Sequence, residues 1–276
     1  MYIHNLNNVL FHIGSLEVRY YGLTYVIGFV LTWILLRWAA KNKHIAGISA
    51  DDADELVAYM MVGMVMFARF FFLLFYDPSI YFKNPLEYFY FWHGGMSFHG
   101  GLIGAILAVY LFFRKKDKPK VSVFQSFDVM VVTGAFALFL GRIANFLNQE
   151  LYGRVSDVAW CVIFPAVDNL CRHPSQLYEA ASHLLTFIIL IWLYWVVYIK
   201  RPGWTRHIHK KEGFVFWSFI ALYGFLRVIT DFWRDDAMIF AGLSGGQILS
   251  LIMGIVGVFF LLKYIKRSDR HKQAKP

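Results

Sequence analysis

The stretch YEAASHLLTFIILIWLYWVVYI, residues 178–199, decides the fold class. Its only Asp, Glu, Lys or Arg residue is Glu179, near the start, and the rest is almost entirely apolar. A helix needs roughly 20 predominantly apolar residues to cross the hydrocarbon core of a bilayer. Lipid also favours helices, because they pair every backbone polar group internally. This stretch therefore predicts a transmembrane helix.

Further apolar runs predict six more spans, at 20–38, 56–75, 98–113, 127–147, 213–232 and 248–264. Residues are 58% hydrophobic and only 16% charged, whereas soluble domains are typically about 25% charged. No internal repeat is visible. The sequence predicts an all-α, polytopic integral membrane protein with about seven transmembrane helices, which form a single domain over residues 1–276.

The basic residues predict the orientation. Nineteen of the 27 lie in the loops after spans one, three, five and seven, and such loops face the cytoplasm. The N-terminus is then outside and the C-terminus cytoplasmic, with outer loops near 77–97 and 148–177 and a cytoplasmic tail from about 265. The net charge of +9 thus reflects membrane topology, and we expect the lipid bilayer, not nucleic acid, as the partner of these charges.

The remaining basic residues are Lys83 and seven arginines, all on the predicted outer side or within spans: Arg19, Arg69, Arg142, Arg154, Arg172, Arg227 and Arg234. Guanidinium binds phosphate or carboxylate bidentately and tolerates partial burial better than ammonium. Ionisable residues within a membrane are costly and indicate function. The bias to arginine therefore predicts anion binding.

Helical spacing brings several of these polar residues onto shared faces. Arg142 and Asn145 are three residues apart, and Tyr223, Arg227 and Asp231 follow at intervals of four. The two arginines can approach one anion from neighbouring helices. Simpler interpretations stay open: an intrahelical ion pair for Arg227 and Asp231, helix–helix hydrogen bonds for Asn145 and Asn148, an interfacial histidine for His99, and a structural Arg69 that reaches Asp77 or another polar partner.

Two other functional classes fit the same helices. A secondary transporter for an anionic solute would bind near the midplane between repeats, whereas the charges here lie on one side, with Asp128 as the one obvious inner candidate. Another phospholipid headgroup transferase is the second alternative. Cys161 and Cys171 are ten residues apart in a predicted outer loop, where either a disulfide or two free thiols are possible.

The run GRIANFLNQELYG, 141–153, closely resembles the signature of bacterial prolipoprotein diacylglyceryl transferases. Similar motifs follow the family order: RYYGL at 19–23, GGMSFHGGLIG at 94–104, RHPSQLYE at 172–179, YGFLR at 223–227 and GGQILS at 245–250. The resemblance covers most of the chain. One departure is Asp231, where the family commonly has the longer Glu.

The resemblance implies an activity and its partners. The family transfers the diacylglyceryl group of phosphatidylglycerol to the lipobox cysteine thiol of a preprolipoprotein, which yields a thioether and glycerol phosphate. It implies no cofactor and no metal. It also implies a multi-pass protein of the bacterial cytoplasmic (inner) membrane, with its active site toward the outer leaflet.

The residues carried over by the same motifs are Tyr21, His99, Arg142, Asn145, Glu150, Gly153 and Arg227, and other polar residues near them complete the expected site. Those expected to be catalytic are His99, Arg142, Arg227, Tyr21, Asn145 and Glu150. Those expected to bind substrate are Arg142, Arg227, Asn148, Gly153, Gly100, Tyr223, Asp231 and His173. His99 is expected to assist thiol deprotonation with Tyr21 as a positioning residue, because histidine titrates near neutral pH. The alternative is that His99 binds the lipid headgroup.

Overall fold

A computed structural model describes residues 1–14, 16–75, 77–90, 95–115, 120–202 and 213–273. The described chain is mostly helical. Its α-helices are α1 Tyr20–Lys41, α2 Ala50–Phe75, α3 Pro78–Lys83, α4 Phe98–Lys115, α5 Lys120–Leu147, α6 Ser175–Tyr194, α7 Phe214–Asp231 and α8 Gly245–Gln273. A 3₁₀ turn covers Pro85–Phe89, and a π-helical segment, Trp195–Lys200, continues α6.

Six of the described helices are long and apolar enough to cross a membrane: Tyr20–Lys41, Ala50–Phe75, Val123–Leu147, Ser175–Lys200, Phe214–Asp231 and Gly245–Lys263. They correspond to six of the seven predicted spans and confirm a polytopic membrane protein. The predicted third span is also a helix, α4, and its last two residues are Arg114 and Lys115. It does not belong to the six.

The start of α2 differs from the prediction because of a capping box. The helix begins at Ala50, six residues before the predicted 56. Ser49 N donates to Asp52 Oδ2 at 2.9 Å, and Asp52 N donates to Ser49 Oγ at 3.1 Å. These reciprocal bonds satisfy orphan backbone donors at a helix N-terminus. The acidic residues at 51–55 therefore extend the helix beyond its apolar run.

The chain divides into two compact units, one made of Met1–Leu31 and Phe127–Pro276 and the other of Thr32–Ser126. In the second unit α2 and α4 pack at close range through glycines. A Cβ on Gly104 would lie 2.1 Å from the carbonyl oxygen of Gly63, and one on Gly100 would lie 2.4 Å from that of Phe67. Glycines thus allow the backbones of α2 and α4 to approach closely.

Arg69 of the second unit is buried within α2 and has a structural role. Its guanidinium donates to the carbonyl oxygens of Gly95 at 3.2 Å and Glu87 at 2.9 Å, and it forms an ion pair with the Glu87 carboxylate at 3.1 Å. The expected polar partner of Arg69 is therefore Glu87 rather than Asp77.

The first unit adds short strands, so that the all-α prediction is corrected to a mostly helical fold. β1 Tyr2–Ile3, β4 Val162–Ile163 and β5 Cys171–Arg172 form one sheet, in the order β1-β4-β5. Two hairpins pair β2 Val9–Ile13 with β3 Leu16–Arg19, and β6 Met238–Phe240 with β7 Leu243–Ser244. The first sheet ties the N-terminus to the 151–175 loop over a small core of Phe146, Val162 and Phe164.

Cys161 and Cys171 form a disulfide in that loop, with their Cα atoms 5.5 Å apart. This settles the alternative between a disulfide and two free thiols. The bridge joins the residue before β4 to the first residue of β5.

We expect the Cys161→Ala/Cys171→Ala double variant to be less stable by about 2–3 kcal/mol, because the cross-link restricts the unfolded loop. The measurement is the midpoint of thermal unfolding of the detergent-solubilised chain. The wild type treated with dithiothreitol serves as the control and should lose as much. If the reductant lowers the midpoint of the double variant equally, the bridge is not the cause.

Asp128 lies in the N-terminal part of α5, at the other end of this helix from the 151–175 loop, and is fully buried. Its carboxylate accepts hydrogen bonds from Tyr198 Oη at 2.6 Å and from the backbone N–H groups of Gly213 and Phe216 at 2.9 and 2.7 Å. A carboxylate at a helix N-terminus satisfies orphan N–H groups and complements the helix dipole. Asp128 therefore caps α7, and its burial needs no transported ion as an explanation.

Candidate active site

Glu179 is the centre of a buried ionic cluster in the first unit. Its side chain is 0% exposed and lies near the start of α6. Arg142 Nε of α5 is 2.9 Å from Glu179 Oε2, Arg234 Nη1 is 3.2 Å from Oε1, and Arg227 of α7 donates to Oε2 through Nη1. One carboxylate thus binds three guanidinium groups that come from separate parts of the chain.

Asp231 is the second fully buried carboxylate of the cluster. Its Oδ1 lies 2.8 Å from Arg227 Nη2 and 3.5 Å from Arg234 Nε. Ser244 Oγ donates to its Oδ2 at 2.8 Å. The predicted ion pair within α7 therefore exists, and it is part of a network rather than an isolated pair.

These charges lie near the ends of their helices. Glu179 follows the N-terminus of α6, which begins directly after Pro174, whereas Arg142 lies in the last two turns of α5 and Arg227 near the end of α7. Anions are stabilised at helix N-termini and cations at C-termini. Glu179, Arg142 and Arg227 all lie just inside the terminal turns, where the dipole effect is small, so the ion pairs themselves stabilise these charges.

The cluster contains three arginines and three carboxylates, and the carboxylates differ in burial. Three guanidinium groups, with side chains 10–15% exposed, face two carboxylates that are 0% exposed. Asp236, about one-third exposed, binds Arg234 from the rim, with Nε 2.8 Å from Oδ2. The formal charge of the cluster is therefore zero, and what it offers to an anion is three converging guanidinium groups. A phosphodiester carries one negative charge and accepts bidentate bonds from arginine.

Hydrogen bonds through an asparagine side chain connect this cluster to the exposed carboxylate of Glu150. Arg142 Nη1 donates to Asn145 Oδ1 at 3.2 Å, and Asn145 Nδ2 donates to Glu150 Oε1 at 2.7 Å. Asn148 Nδ2 donates to the same oxygen at 3.2 Å. Glu150 is solvent-exposed. The asparagines therefore connect Arg142 to Glu150, which differs from the simpler expectation that they bond neighbouring helices.

Glu150 is held in a strained turn. Its neighbours Gln149 and Leu151 have φ values of 58° and 55°, a left-handed conformation that costs of order 1–3 kcal/mol for a non-glycine residue. Two buried side chains at the start of α6 stabilise the turn. Gln176 Nε2 donates to Glu150 O at 2.8 Å, and Ser175 Oγ donates to Leu151 O at 3.1 Å.

Gly153 closes this turn against two other segments. Its N–H donates to His173 O at 3.0 Å, and a Cβ at this position would lie 2.5 Å from the carbonyl oxygens of both His173 and Trp233. Only glycine fits between these backbones.

The His173 ring is beside Tyr178, with Nδ1 3.1 Å from Tyr178 Oη. Burial lowers the pKa of His173, and the charge of Arg154 lowers it further.

Tyr223 lies one turn from Arg227 on α7 and stacks on a buried histidine. Its ring is parallel to that of His183, with an interplanar angle of 3° and centroids 5.5 Å apart. Tyr223 and Arg227 are thus directed at α6, whereas Asp231 of the same predicted face binds Ser244 of β7.

Tyr21, His99 and Gly100 are the remaining predicted residues. Tyr21 is on the first turn of α1, where Tyr25 Oη donates to its hydroxyl at 3.2 Å. His99 and Gly100 belong to the second unit, at the start of α4, with His99 exposed and Gly100 buried. Gly100 contacts α2, as described above. The predicted roles of these three residues toward substrate stay predictions.

Two members of the cluster were absent from the residues predicted to act. Glu179 ends the motif RHPSQLYE, and Arg234 follows Asp231 by three residues, which is a helical-neighbour spacing. The motif position of Glu179 and the spacing of Arg234 are both visible in the sequence. Within the described residues, no group of three or more His, Cys, Asp or Glu side chains is arranged to hold a metal ion.

Comparisons with known proteins, by family model and by individual sequences, lead to the same family. Residues 8–263 match the family model described as prolipoprotein diacylglyceryl transferase. The chain is 40% identical over 260 residues to the phosphatidylglycerol–prolipoprotein diacylglyceryl transferase of Geobacter sulfurreducens, which covers 92% of this chain and 94% of that protein. For the protein of the same name from Rhizobium meliloti the identity is 39% over 268 residues, with coverage of 94% and 92%.

Proposed function

The chain belongs to the prolipoprotein diacylglyceryl transferase family, and we propose that its reaction takes place at the buried cluster around Glu179. The chain is an enzyme that transfers the diacylglyceryl group of phosphatidylglycerol to a prolipoprotein, the first step of lipoprotein maturation. The observation that carries the assignment of the site is the convergence of Arg142, Arg227 and Arg234 on one buried carboxylate. This array suits the phosphate of the lipid.

The reaction forms a carbon–sulfur bond and breaks a carbon–oxygen bond. A base removes the proton of the lipobox cysteine thiol, and the thiolate attacks the glycerol carbon that bears the phosphate ester. The electron pair of the broken bond stays on the phosphate oxygen, which leaves as glycerol phosphate. The phosphate thereby goes from one negative charge to about 1.5–2 at neutral pH. Arg142 and Arg227 stabilise this developing charge.

The residues around the arginines orient the substrate. Asn145 and Glu150 position Arg142 and offer polar groups to the glycerol headgroup, with Asn148 beside them. Asp231 positions Arg227. The other residues proposed to bind substrate are Gly153, His173, Tyr223 and Gly100, and Tyr21 is proposed as a positioning residue.

His99 is proposed as the base that assists thiol deprotonation. An unperturbed thiol has a pKa of about 8.5, so that at neutral pH it is mostly protonated. We expect the acidic limb of the pH–rate profile to disappear or shift in His99→Gln, because glutamine cannot take up a proton. The profile is measured with a lipobox peptide for both proteins. An acidic limb with an unchanged midpoint would show that His99 binds the headgroup instead.

We propose seven spans, including α4, in a single integral membrane domain over residues 1–276. The N-terminus is then outside, the C-terminus is cytoplasmic, and the site faces the outer leaflet of the cytoplasmic membrane. The basic loops support this orientation. The Cys161–Cys171 disulfide also supports it, since disulfides persist outside the cytoplasm.

The proposed function is tested by measuring transfer of the diacylglyceryl group to a peptide. The purified full chain is given phosphatidylglycerol with a labelled diacylglyceryl moiety and a peptide with a lipobox cysteine. We expect label on the peptide in a linkage that resists hydroxylamine, as a thioether does. A peptide with serine in place of cysteine is the control. Release of label without transfer to the peptide, or uptake of an anionic solute into vesicles without transfer, would contradict the proposal.

Arg142→Ala is expected to lower kcat about 100- to 1,000-fold, because one donor to a developing anion is commonly worth roughly 3–4 kcal/mol. Arg142→Lys should recover little, since lysine lacks the planar fork that binds phosphate bidentately. Arg154→Ala, which removes an exposed arginine of the 151–175 loop, serves as the control. Equal activity of Arg142→Ala and the wild type would exclude this role.

A further inference from the structure

His183 is a buried polar side chain that the mechanism above does not use. It lies on α6 with only 3% of its surface exposed, and its Nε2 atom has no hydrogen-bond partner. A buried donor or acceptor without a partner is costly and calls for an explanation. Its flat contact with the Tyr223 ring fixes the plane of the imidazole but satisfies no ring nitrogen.

The position of His183 relative to the cluster suggests what its partner is. His183 follows Glu179 by four residues on α6, and Tyr223 precedes Arg227 by four residues on α7. Glu179 lies near the N-terminus of α6 and Arg227 near the C-terminus of α7, and these two helix ends are in contact. The His183–Tyr223 pair therefore lies one turn further along both helices, toward their middles. One helical turn is about 5.4 Å along the axis.

A phospholipid has polar groups at this spacing. Its phosphate is followed by the glycerol backbone and then by the two ester carbonyl groups, which are acceptors without donors. With the phosphate at Arg142 and Arg227, an ester carbonyl lies about one helical turn deeper. Water is scarce at this depth, so that the lipid itself is the nearest source of a partner for an imidazole N–H.

We propose that His183 donates a hydrogen bond from Nε2 to an ester carbonyl of the phosphatidylglycerol diacylglyceryl group. This inference rests on the proposed function of the cluster and adds to it a contact with the part of the lipid that is transferred. The residue thereby distinguishes ester-linked from ether-linked lipid chains. A neutral imidazole suits this role, because the neighbouring arginines disfavour a further positive charge.

The test compares two lipids on each enzyme: diacyl-phosphatidylglycerol and its dialkyl ether analogue, which has the same phosphate and glycerol headgroup but lacks both carbonyls. For the wild type we expect kcat/KM to be about tenfold higher with the diacyl lipid, which corresponds to about 1.4 kcal/mol. His183→Phe, which keeps a flat ring for Tyr223, should bring this ratio close to one. His183→Gln, which restores a side-chain donor, should recover part of the preference.

Thr186→Val is the matched control on the same helix, because it removes a buried hydroxyl that is already satisfied by Ser182 O at 2.8 Å. It should keep the wild-type ratio. For a variant without turnover, competition of the two lipids for the solubilised full chain, measured by native mass spectrometry, gives the ratio instead.

An equal preference for the diacyl lipid in the wild type and His183→Phe would overturn the inference. The proposed function would be unaffected, since it depends on transfer by the wild type.

Discussion

Glu179→Gln is expected to abolish measurable transferase activity and to destabilise the protein by about 3–5 kcal/mol, the typical cost of breaking a buried ion pair. The substitution keeps the shape of the side chain but removes the negative charge that Arg142, Arg227 and Arg234 share. The guanidinium groups then repel one another, with Asp231 as the remaining fully buried counter-charge of the cluster. The measurements are the thermal unfolding midpoint in detergent and the rate of peptide labelling.

Two variants separate charge from other effects of Glu179→Gln. Asp236→Asn removes the rim carboxylate, which is about one-third exposed, and should change stability by less than about 1 kcal/mol. Glu179→Gln combined with Arg234→Gln removes one of the repelling cations and should recover part of the lost stability. If the single and the combined variant unfold at the same temperature, charge imbalance is not the reason for the loss.

Gly153→Ala is the second variant with a large expected effect. The added Cβ would lie 2.5 Å from two backbone oxygens, those of His173 and Trp233, and neither can move as a flexible side chain would. We expect the turn that carries Glu150 to shift away from the arginines. A displacement of about 1 Å at a catalytic site can lower the rate roughly 100-fold, and we expect at least this loss in the peptide-labelling assay.

Gly134→Ala is the control for Gly153→Ala. Gly134 lies inside α5, where a Cβ would meet nothing within 4 Å. This substitution should leave activity unchanged and raise stability by up to about 1 kcal/mol, since alanine favours a helix interior over glycine. A Gly153→Ala protein with wild-type activity would show that the close approach of the three backbones is not required.

Patterns that lie within one helix were predictable from the sequence. The apolar runs located the helices, and intervals of three and four residues paired Arg142 with Asn145 and Arg227 with Asp231. The first residue of α2 was missed because its first turn is acidic and is stabilised by capping bonds rather than by apolar residues. Strands of two residues, such as β1 and β4, are too short to show an alternating pattern.

Contacts between helices were much harder to predict from the sequence. The spacing of Glu179 on α6 carries no information about its pairing with Arg142 and Arg227, which depends on how three helices pack. The same holds for the hydrogen bonds from Gln176 and Ser175 to the turn around Glu150. Family motifs brought these segments together in the prediction, yet the acid that joins them was identified only from the geometry.

The sharing of Glu179 by distant arginines also constrains biosynthesis. Glu179 follows Arg142 by 37 residues and precedes Arg227 by 48, so that α5 is made before its counter-charge exists. At about 5–20 residues per second, Glu179 is synthesised roughly 2–7 s after Arg142. An unpaired arginine costs about 3 kcal/mol at the centre of an inserting helix and less toward the helix end, where Arg142 lies in α5. We expect the ion pair with Glu179 to remove this cost once α6 is inserted beside α5.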